Sequence, residues 1–243
     1  AHAVNQFFAN GGSRAFVMRV APVDATIAKA SCKQGKDGVV SISATNPGAW
    51  GNSIIVSFEE VSNSKTQILE DLGEGKYRFK SVAGFNVGDV VCVKGGEEEQ
   101  FGLINNLAGD IVSFAEPFEG DVVDAGLLPK FTVNSCELDI VVDYKGEVEK
   151  YSGVTFNSSA PSFIEKVMSK SEIVSVKAQP TEEAVSPMDV VKQVFSGKGD
   201  AIKVTLSGGF NGTAASLSDA DFIGKDEGPG ARTGIQSFID NTD

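Results

Sequence analysis

The amino-acid sequence predicts an α+β fold: a mixed α/β core portion interrupted by an inserted β-rich domain, barrel- or sandwich-like. Three observations lead there. Between residues 63 and 129, short apolar runs (90–93, 101–104, 111–114) alternate with Gly, Asp and Glu clusters at intervals of about ten residues, the texture of an all-β unit. From 130 onward, strand-like alternation gives way to segments with helical spacing, the ordering expected of an α+β chain. A chain of 243 residues holds one large or two small domains. The expected division is therefore 1–62 plus 130–243 for the mixed portion and 63–129 for the inserted domain.

Taken in order, residues 4–9 read as a short helix ended by Gly11-Gly12. Residues 15–20 read as a strand, and the Ala-rich stretch 24–31 as a helix. Residues 39–44 and 54–58 alternate as strands on either side of Asn46-Pro47-Gly48-Ala49-Trp50-Gly51-Asn52. Pro47 fixes φ and the glycines supply backbone freedom, so this segment is a sharp corner. Trp50, the only tryptophan, is its plug; the Pro and Gly around it argue against a ligand-stacking platform. Beyond the β-rich unit, 131–142 alternates as a strand, 145–147 turns, and 148–156 returns as the second arm of a hairpin. Ser159-Ala160-Pro161-Ser162 supplies cap chemistry ahead of Phe163, Ile164, Val167 and Met168, which are spaced as a helix. A strand at 173–177, a polar loop at 181–187, a short helix at 187–195, a strand at 201–206 and short helices at 219–224 and 232–239 complete the chain. It has no internal repeat and no low-complexity segment.

Composition excludes several classes of function. The formal net charge of −12 argues against a phosphate-backbone partner, since nucleic-acid binding needs a basic footprint. No apolar run approaches the ~20 residues that span a bilayer. Cys32, Cys92 and Cys136 lie far apart, and without a signal-peptide pattern they read as reduced, buried thiols. Two sequon matches, Asn157-Ser158-Ser159 and Asn211-Gly212-Thr213, read as coincidence on the same ground. The single histidine, His2, is badly placed for the positioned imidazole that a Ser-His-Asp relay requires, so no catalytic residue is assigned. The stretch from Gly228 to Gly234 lacks the Gly-Lys-Ser/Thr end of a phosphate loop, and Pro229 removes a donor that phosphate would need; it reads as a Gly-rich lead-in to a helix. Arg232 there is either a solvated helix-start residue or a salt-bridge donor to a neighbouring molecule. Glu97-Glu98-Glu99 reads as a solvated hairpin tip rather than a calcium site. Asp219 and Asp221 read as helix-capping carboxylates. No cofactor and no metal is expected. Phe7, Phe8 and Phe16 are either core residues or an exposed patch that meets a partner.

The corner Asn46-Pro47-Gly48-x-Trp50-Gly51-Asn52, followed by an apolar strand, resembles the signature of contractile tail sheath proteins. These build the contracting sleeves of myophage tails, R-type bacteriocins and related injection systems. Three further segments resemble that family in the same order. Residues 3–20, AVNQFFANGGSRAFVMRV, are similar to its helix, Asn-Gly-Gly turn and strand. Phe85-Asn86-Val87-Gly88-Asp89 is similar to the strand entry of its inserted β-domain. Leu206-Ser207-Gly208-Gly209-Phe210-Asn211-Gly212 resembles its Leu-x-Gly-Gly-x-Asp-Gly turn, with Asn211 in place of the commoner Asp. Asp221-Phe222-Ile223-Gly224 and Arg232-Thr233-Gly234-Ile235-Gln236 resemble the steps that follow.

The resemblance implies a non-enzymatic structural subunit that polymerises as helically stacked hexameric rings around an inner tube and contracts to drive the tube through a cell envelope. Its implied partners are further copies of itself, a tail tube protein, and baseplate and tail terminator proteins, with no nucleic acid and no membrane insertion. Its implied location is a virion tail or contractile particle made in a bacterial host cytoplasm. Complete sheath subunits carry an N-terminal arm and a large C-terminal portion, so the chain is expected to be a fragment, with Ala1-His2 a cloning scar. The resemblance places 72–129 outward and assembly contacts mainly in 3–20 and 206–243. The rival expectation is a non-catalytic carbohydrate- or peptide-binding β-module of a surface protein, against which stand the single Trp and only three Tyr.

Overall fold

The structure, a computed structural model, describes residues 2–32, 40–95, 98–120, 130–178, 191 and 202–241. They fall into two compact units, one of residues 27–209 and the other of 1–26 with 210–243.

The larger unit is built almost wholly of antiparallel strands. A three-stranded sheet has the order β1 (Lys29–Cys32), β2 (Val40–Ala44), β12 (Val174–Lys177). A four-stranded sheet has the order β11 (Glu147–Val154), β10 (Glu137–Tyr144), β3 (Ile54–Val61), β13 (Ile202–Thr205). Six strands close a barrel: β4 (Lys65–Gly73), β5 (Lys76–Phe79), β8 (Ile111–Phe114), β7 (Glu98–Ala108), β6 (Val90–Gly95) and β9 (Thr132–Ser135), with β9 pairing back onto β4. The barrel thus takes its closing strand from beyond residue 129.

Side-chain alternation sorts these strands into two cores. Ile68, Tyr77, Phe79, Ile104, Val112, Phe114 and Val133 fill the barrel. Ile42, Val56, Phe58, Leu138, Ile140, Val142 and Val176 unite the two sheets, together with Ile164 and Met168 of the one-turn helix α2 (Ile164–Met168). Strand β6 belongs to both. Val91 and Val93 point into the barrel, while Val90 and Cys92 join the sheet core, which is why this strand reads as an unbroken apolar run.

Several expected elements form as the sequence predicts. Helix α1 spans His2–Ala9 and ends at Gly11, whose φ is +89°. The 145–147 turn has positive φ at Lys145 (55°) and Gly146 (93°), the geometry that matches hairpin twist, and Asp143 Oδ1 accepts a hydrogen bond from the Gly146 N–H at 2.9 Å.

Other expectations are corrected. Residues 15–20 pair with no strand among the described residues, and Val17 is 71 % exposed. Residues 24–31 form no helix; their second half is β1, because pairing with β2 and burial of Ala28 outweigh the helix propensity of alanine. The run 131–142 is two strands: at Cys136 the chain leaves the barrel partner of β9 and takes up the sheet partner of β10. Helix α2 is preceded by Phe163 at its cap position and gets no side-chain cap from Ser162, whose hydroxyl bonds that of Thr155 at 3.0 Å. The expected loop at 181–187 and most of the helix at 187–195 lie outside the described residues, as do Glu97 and the side chains of Cys32 and Glu98.

Candidate functional site

Strand β2 ends at Ala44, and the chain must reverse to begin β3 at Ile54. Residues Ala49–Ser53 make the reversal as a short 3-10 turn entered through Gly48, whose φ of 135° and ψ of 161° only glycine adopts readily. Inside the corner, Gly51 packs directly on small residues. A β-carbon there would lie 2.7 Å from Ala28 Cβ and 2.9 Å from Ala44 Cβ. Trp50 is half-buried rather than fully enclosed: its ring packs on the sheet core and meets Tyr144 edge-on, with centroids 5.3 Å apart.

The corner is closed by a segment 157 residues away. Asn52 Nδ2 donates to the carbonyl of Gly209 at 2.8 Å, and the Gly209 N–H donates to Asn52 Oδ1 at 2.8 Å. The side-chain amide thereby acts as a strand partner for one peptide unit. Gly209 must be glycine for this approach: a β-carbon would fall 2.3 Å from the Gly48 carbonyl oxygen and 3.0 Å from Ala28 Cβ. Gly208 takes a φ of 81°, and Ser207 exchanges backbone hydrogen bonds with Lys29 at 2.8 and 3.0 Å. Asn46, Pro47, Gly48, Trp50, Gly51 and Asn52 therefore share one site with Gly208 and Gly209. Its chemistry is wholly structural, a paired corner and turn built from peptide groups and one amide.

In the smaller unit, Gly212 (φ 79°) sits against Pro22 and Asp24. The Asp24 carboxylate accepts hydrogen bonds from the Thr213 N–H at 3.0 Å and from the Ser216 hydroxyl at 2.7 Å. Those bonds, Thr213 first, stabilise the ionised form and hold its pKa at about 2. Thr26 and Phe210 exchange backbone hydrogen bonds at 3.0 and 3.1 Å. Asp221 caps α3 (Asp219–Ile223), its carboxylate accepting from both the N–H and the hydroxyl of Ser218, and its pKa is lowered by those bonds.

Arg232 is not the solvated helix-start residue of the first expectation. Its side chain is 15 % exposed and is held within its own chain, by Asp226 at 2.7 Å and by Asp240. Phe7, Phe8 and Phe16 are 44, 47 and 50 % exposed. Phe7 and Phe8 pack edge-on, and Arg14 stacks over Phe16 at 5.0 Å.

Titratable groups gather at one other place. A cleft of about 310 Å³ between β3 and the barrel is lined by Glu60, Lys94, Glu99, Cys92 and Cys136 among others. The Cys92 thiol donates to Glu99 Oε1 at 3.0 Å, and Lys94 pairs with the same oxygen at 2.9 Å, so Glu99 is engaged with its hairpin partner rather than with water alone. Burial pushes both thiols well above the ordinary range, and it raises Glu60 against the opposing pull of Lys94. Thiols held protonated in this way are poor nucleophiles and poor metal ligands. Among the described residues, no three His, Cys, Asp or Glu side chains are grouped to hold a metal ion.

The sequence pointed to both halves of the clasp. It missed Ala28, Ala44 and Asp24, which make room for the glycines or fix the turn; a small residue opposite a glycine leaves no signal until the pairing is known. No known family model matches the chain, and no curated protein matches it.

Proposed function

We propose that this chain is all or part of a structural subunit of a contractile tail sheath, an α+β core portion bearing an inserted β-domain. In this reading it polymerises as stacked hexameric rings around an inner tube, contracts to drive that tube through a cell envelope, and does no chemistry of its own. The observation that carries the reading is the clasp between Asn52 and Gly209. Two of the stretches that resemble sheath sequences, 46–52 and 206–212, are far apart in the chain, yet the first closes directly on Gly209 of the second. Two motifs matched by chance would have no reason to be complementary in space. The closed barrel, built from one continuous stretch between β3 and β10, supports the assignment of an inserted domain. By the same resemblance the barrel faces outward, residues 3–20 and 206–243 supply assembly contacts, and the partners are further copies, the tail tube, the baseplate and the tail terminator.

The test is assembly. The protein, produced from its gene with the adjoining coding sequence and mixed with the tail tube protein of the same locus, is imaged by negative-stain microscopy. Striated sleeves or stacked rings are expected. Bare tubes beside dispersed protein, across a range of salt and protein concentration, overturn the proposal.

A further inference from the structure

The barrel is joined to the sheets by two chain crossings, residues 61–65 between β3 and β4 and residue 136 between β9 and β10. They run side by side. The Ser64 N–H donates to Ser135 Oγ at 2.9 Å, the Ser135 N–H donates to the Ser64 carbonyl at 2.9 Å, and the Asn63 N–H donates to Glu137 Oε2 at 2.7 Å. Two adjacent crossings make a neck, and a neck alone permits rotation. The apolar seam beside it, in which Val90 and Cys92 of β6 share one buried core with Leu138, Val154 and Phe156, resists separation but is non-directional and fixes no angle.

A third tie comes from an element that neither crossing contains. Asn157, in the segment that follows β11, is 6 % exposed. Its Nδ2 donates twice to the segment that enters β6, to the Val87 carbonyl at 3.0 Å and to Asp89 Oδ1 at 2.7 Å. Its Oδ1 accepts from the Ser159 N–H at 3.1 Å, which holds the amide from its own side. Asp89 is held in turn, its Oδ2 accepting from the Asn86 N–H at 2.8 Å. Gly88, at φ +87°, brings the barrel's backbone onto the amide; a β-carbon there would lie 2.8 Å from Asn157 Oδ1. Rotation of the barrel would strip both acceptors from an amide that is itself only 6 % exposed, and a buried donor left unpaired is costly.

We propose that Asn157 is the positioning residue that locks the barrel to the four-stranded sheet, so that the two move as one rigid body. The lock depends on direction, since the amide offers two donors at fixed angles to two acceptors on the barrel side. It stands apart from the sheath reading and holds or fails without it.

Residual dipolar couplings of the amides, measured on the whole chain in an aligning medium, test it. In the wild type one alignment tensor fits the amides of the barrel and of the four-stranded sheet together. In Asn157→Ala the common tensor is lost, and barrel and sheet each fit a tensor of their own while their internal fits stay good. Asn157→Asp keeps the size of the side chain but replaces the donors with a second carboxylate facing Asp89, and gives the same separation. A merely structural role would lower the melting temperature without splitting the tensor. Two tensors in the wild type overturn the lock whatever the variants do, and so does a single tensor retained in both variants.

Discussion

Gly209→Ala is the sharpest probe of the clasp. The new β-carbon would sit 2.3 Å from the Gly48 carbonyl oxygen, a backbone atom that cannot swing aside as a side chain does. Gly48 already occupies a conformation open only to glycine, and its carbonyl accepts the Gly51 N–H at 3.3 Å. The segment carrying Gly209 must therefore move, at an overpacking cost of about 1–3 kcal/mol. Movement also breaks both bonds to Asn52, each contributing about 0.5–1.5 kcal/mol and nearer the lower figure where water replaces them. The sum is about 3 kcal/mol, which for a chain of this size lowers the melting temperature by about 6–12 °C. Trp50, the sole tryptophan, lies in the corner itself, so its fluorescence during urea unfolding reports on this site. Asn52→Ala is the control: it deletes the same two bonds without the clash and should cost about 1 kcal/mol. A Gly209→Ala protein within about 0.5 kcal/mol of wild type, or an Asn52→Ala protein less stable than it, would refute the geometric argument.

Four further outcomes are expected. Tyr77→Phe removes the hydroxyl that accepts the Phe118 N–H at 3.0 Å, leaving a buried donor unpaired, and should destabilise the barrel by about 1–3 kcal/mol in denaturant titrations. Asp24 should titrate by carbon-detected NMR with a pKa of about 2; because this is depressed below the unfolded value of about 3.9, its contribution is present above pH 4 and fades as the pH falls to 2. Asp24→Asn should abolish that window, seen as a protection factor of the Thr213 amide that no longer changes across it. Cys92 and Cys136 should resist a thiol reagent in the native protein and react on unfolding, read in a Cys32→Ser background; reaction at the native rate of a free thiol would contradict their burial. Native-state hydrogen exchange should show far lower protection for residues 2–26 and 210–241 than for the barrel strands, and equal protection would count against the distribution of buried side chains described above.

Where one periodicity governs a segment, the sequence shows it plainly. β2, β3 and β10 alternate cleanly, and each has one face in the core. The corner was visible because Pro and Gly punctuate it. Failures share a cause: the deciding partner is remote. Residues 24–31 look helical until β2 pairs with them, and 15–20 look like a strand although no described strand accepts them. The run 131–142 hides a change of partner at Cys136, where the alternation slips by one residue: Phe131, Val133 and Ser135 are buried before it, and Cys136, Leu138 and Ile140 from it onward, a shift masked because Ser135 is polar. Of the site, the glycines and Asn52 were legible as a turn pattern; that they close on one another was not, because a hydrogen bond spanning 157 residues has no local signature. The pairing of Arg232 with Asp226 and Asp240, six and eight residues away, was also hidden, since it depends on how that segment folds.

The two units are stabilised by different physics. Every buried large apolar side chain among the described residues lies between Ala28 and Leu206. Residues 2–26 and 210–241 contribute none, and are ordered instead by polar devices: Asp24 on Thr213 and Ser216, Asp221 on Ser218, Arg232 between Asp226 and Asp240. Such devices each add little, whereas ordering a residue's backbone costs about 1–2 kcal/mol. Polar devices alone fall well short for several dozen residues. The same segments expose Phe7, Phe8, Phe16, Phe210, Phe222, Ile223, Ile235 and Phe238, each between 37 and 59 % accessible. Covering that surface would return about 25 cal/mol for each Å² of apolar area, the term these segments lack. A monomeric protein has little reason to leave so much of it open, whereas a subunit that gains its last increment of order from neighbouring polypeptide does. On the sheath reading, this is the physical content of assembly contacts in 3–20 and 206–243: a barrel and sheets that are complete in themselves, and segments whose stability is completed by polymerisation.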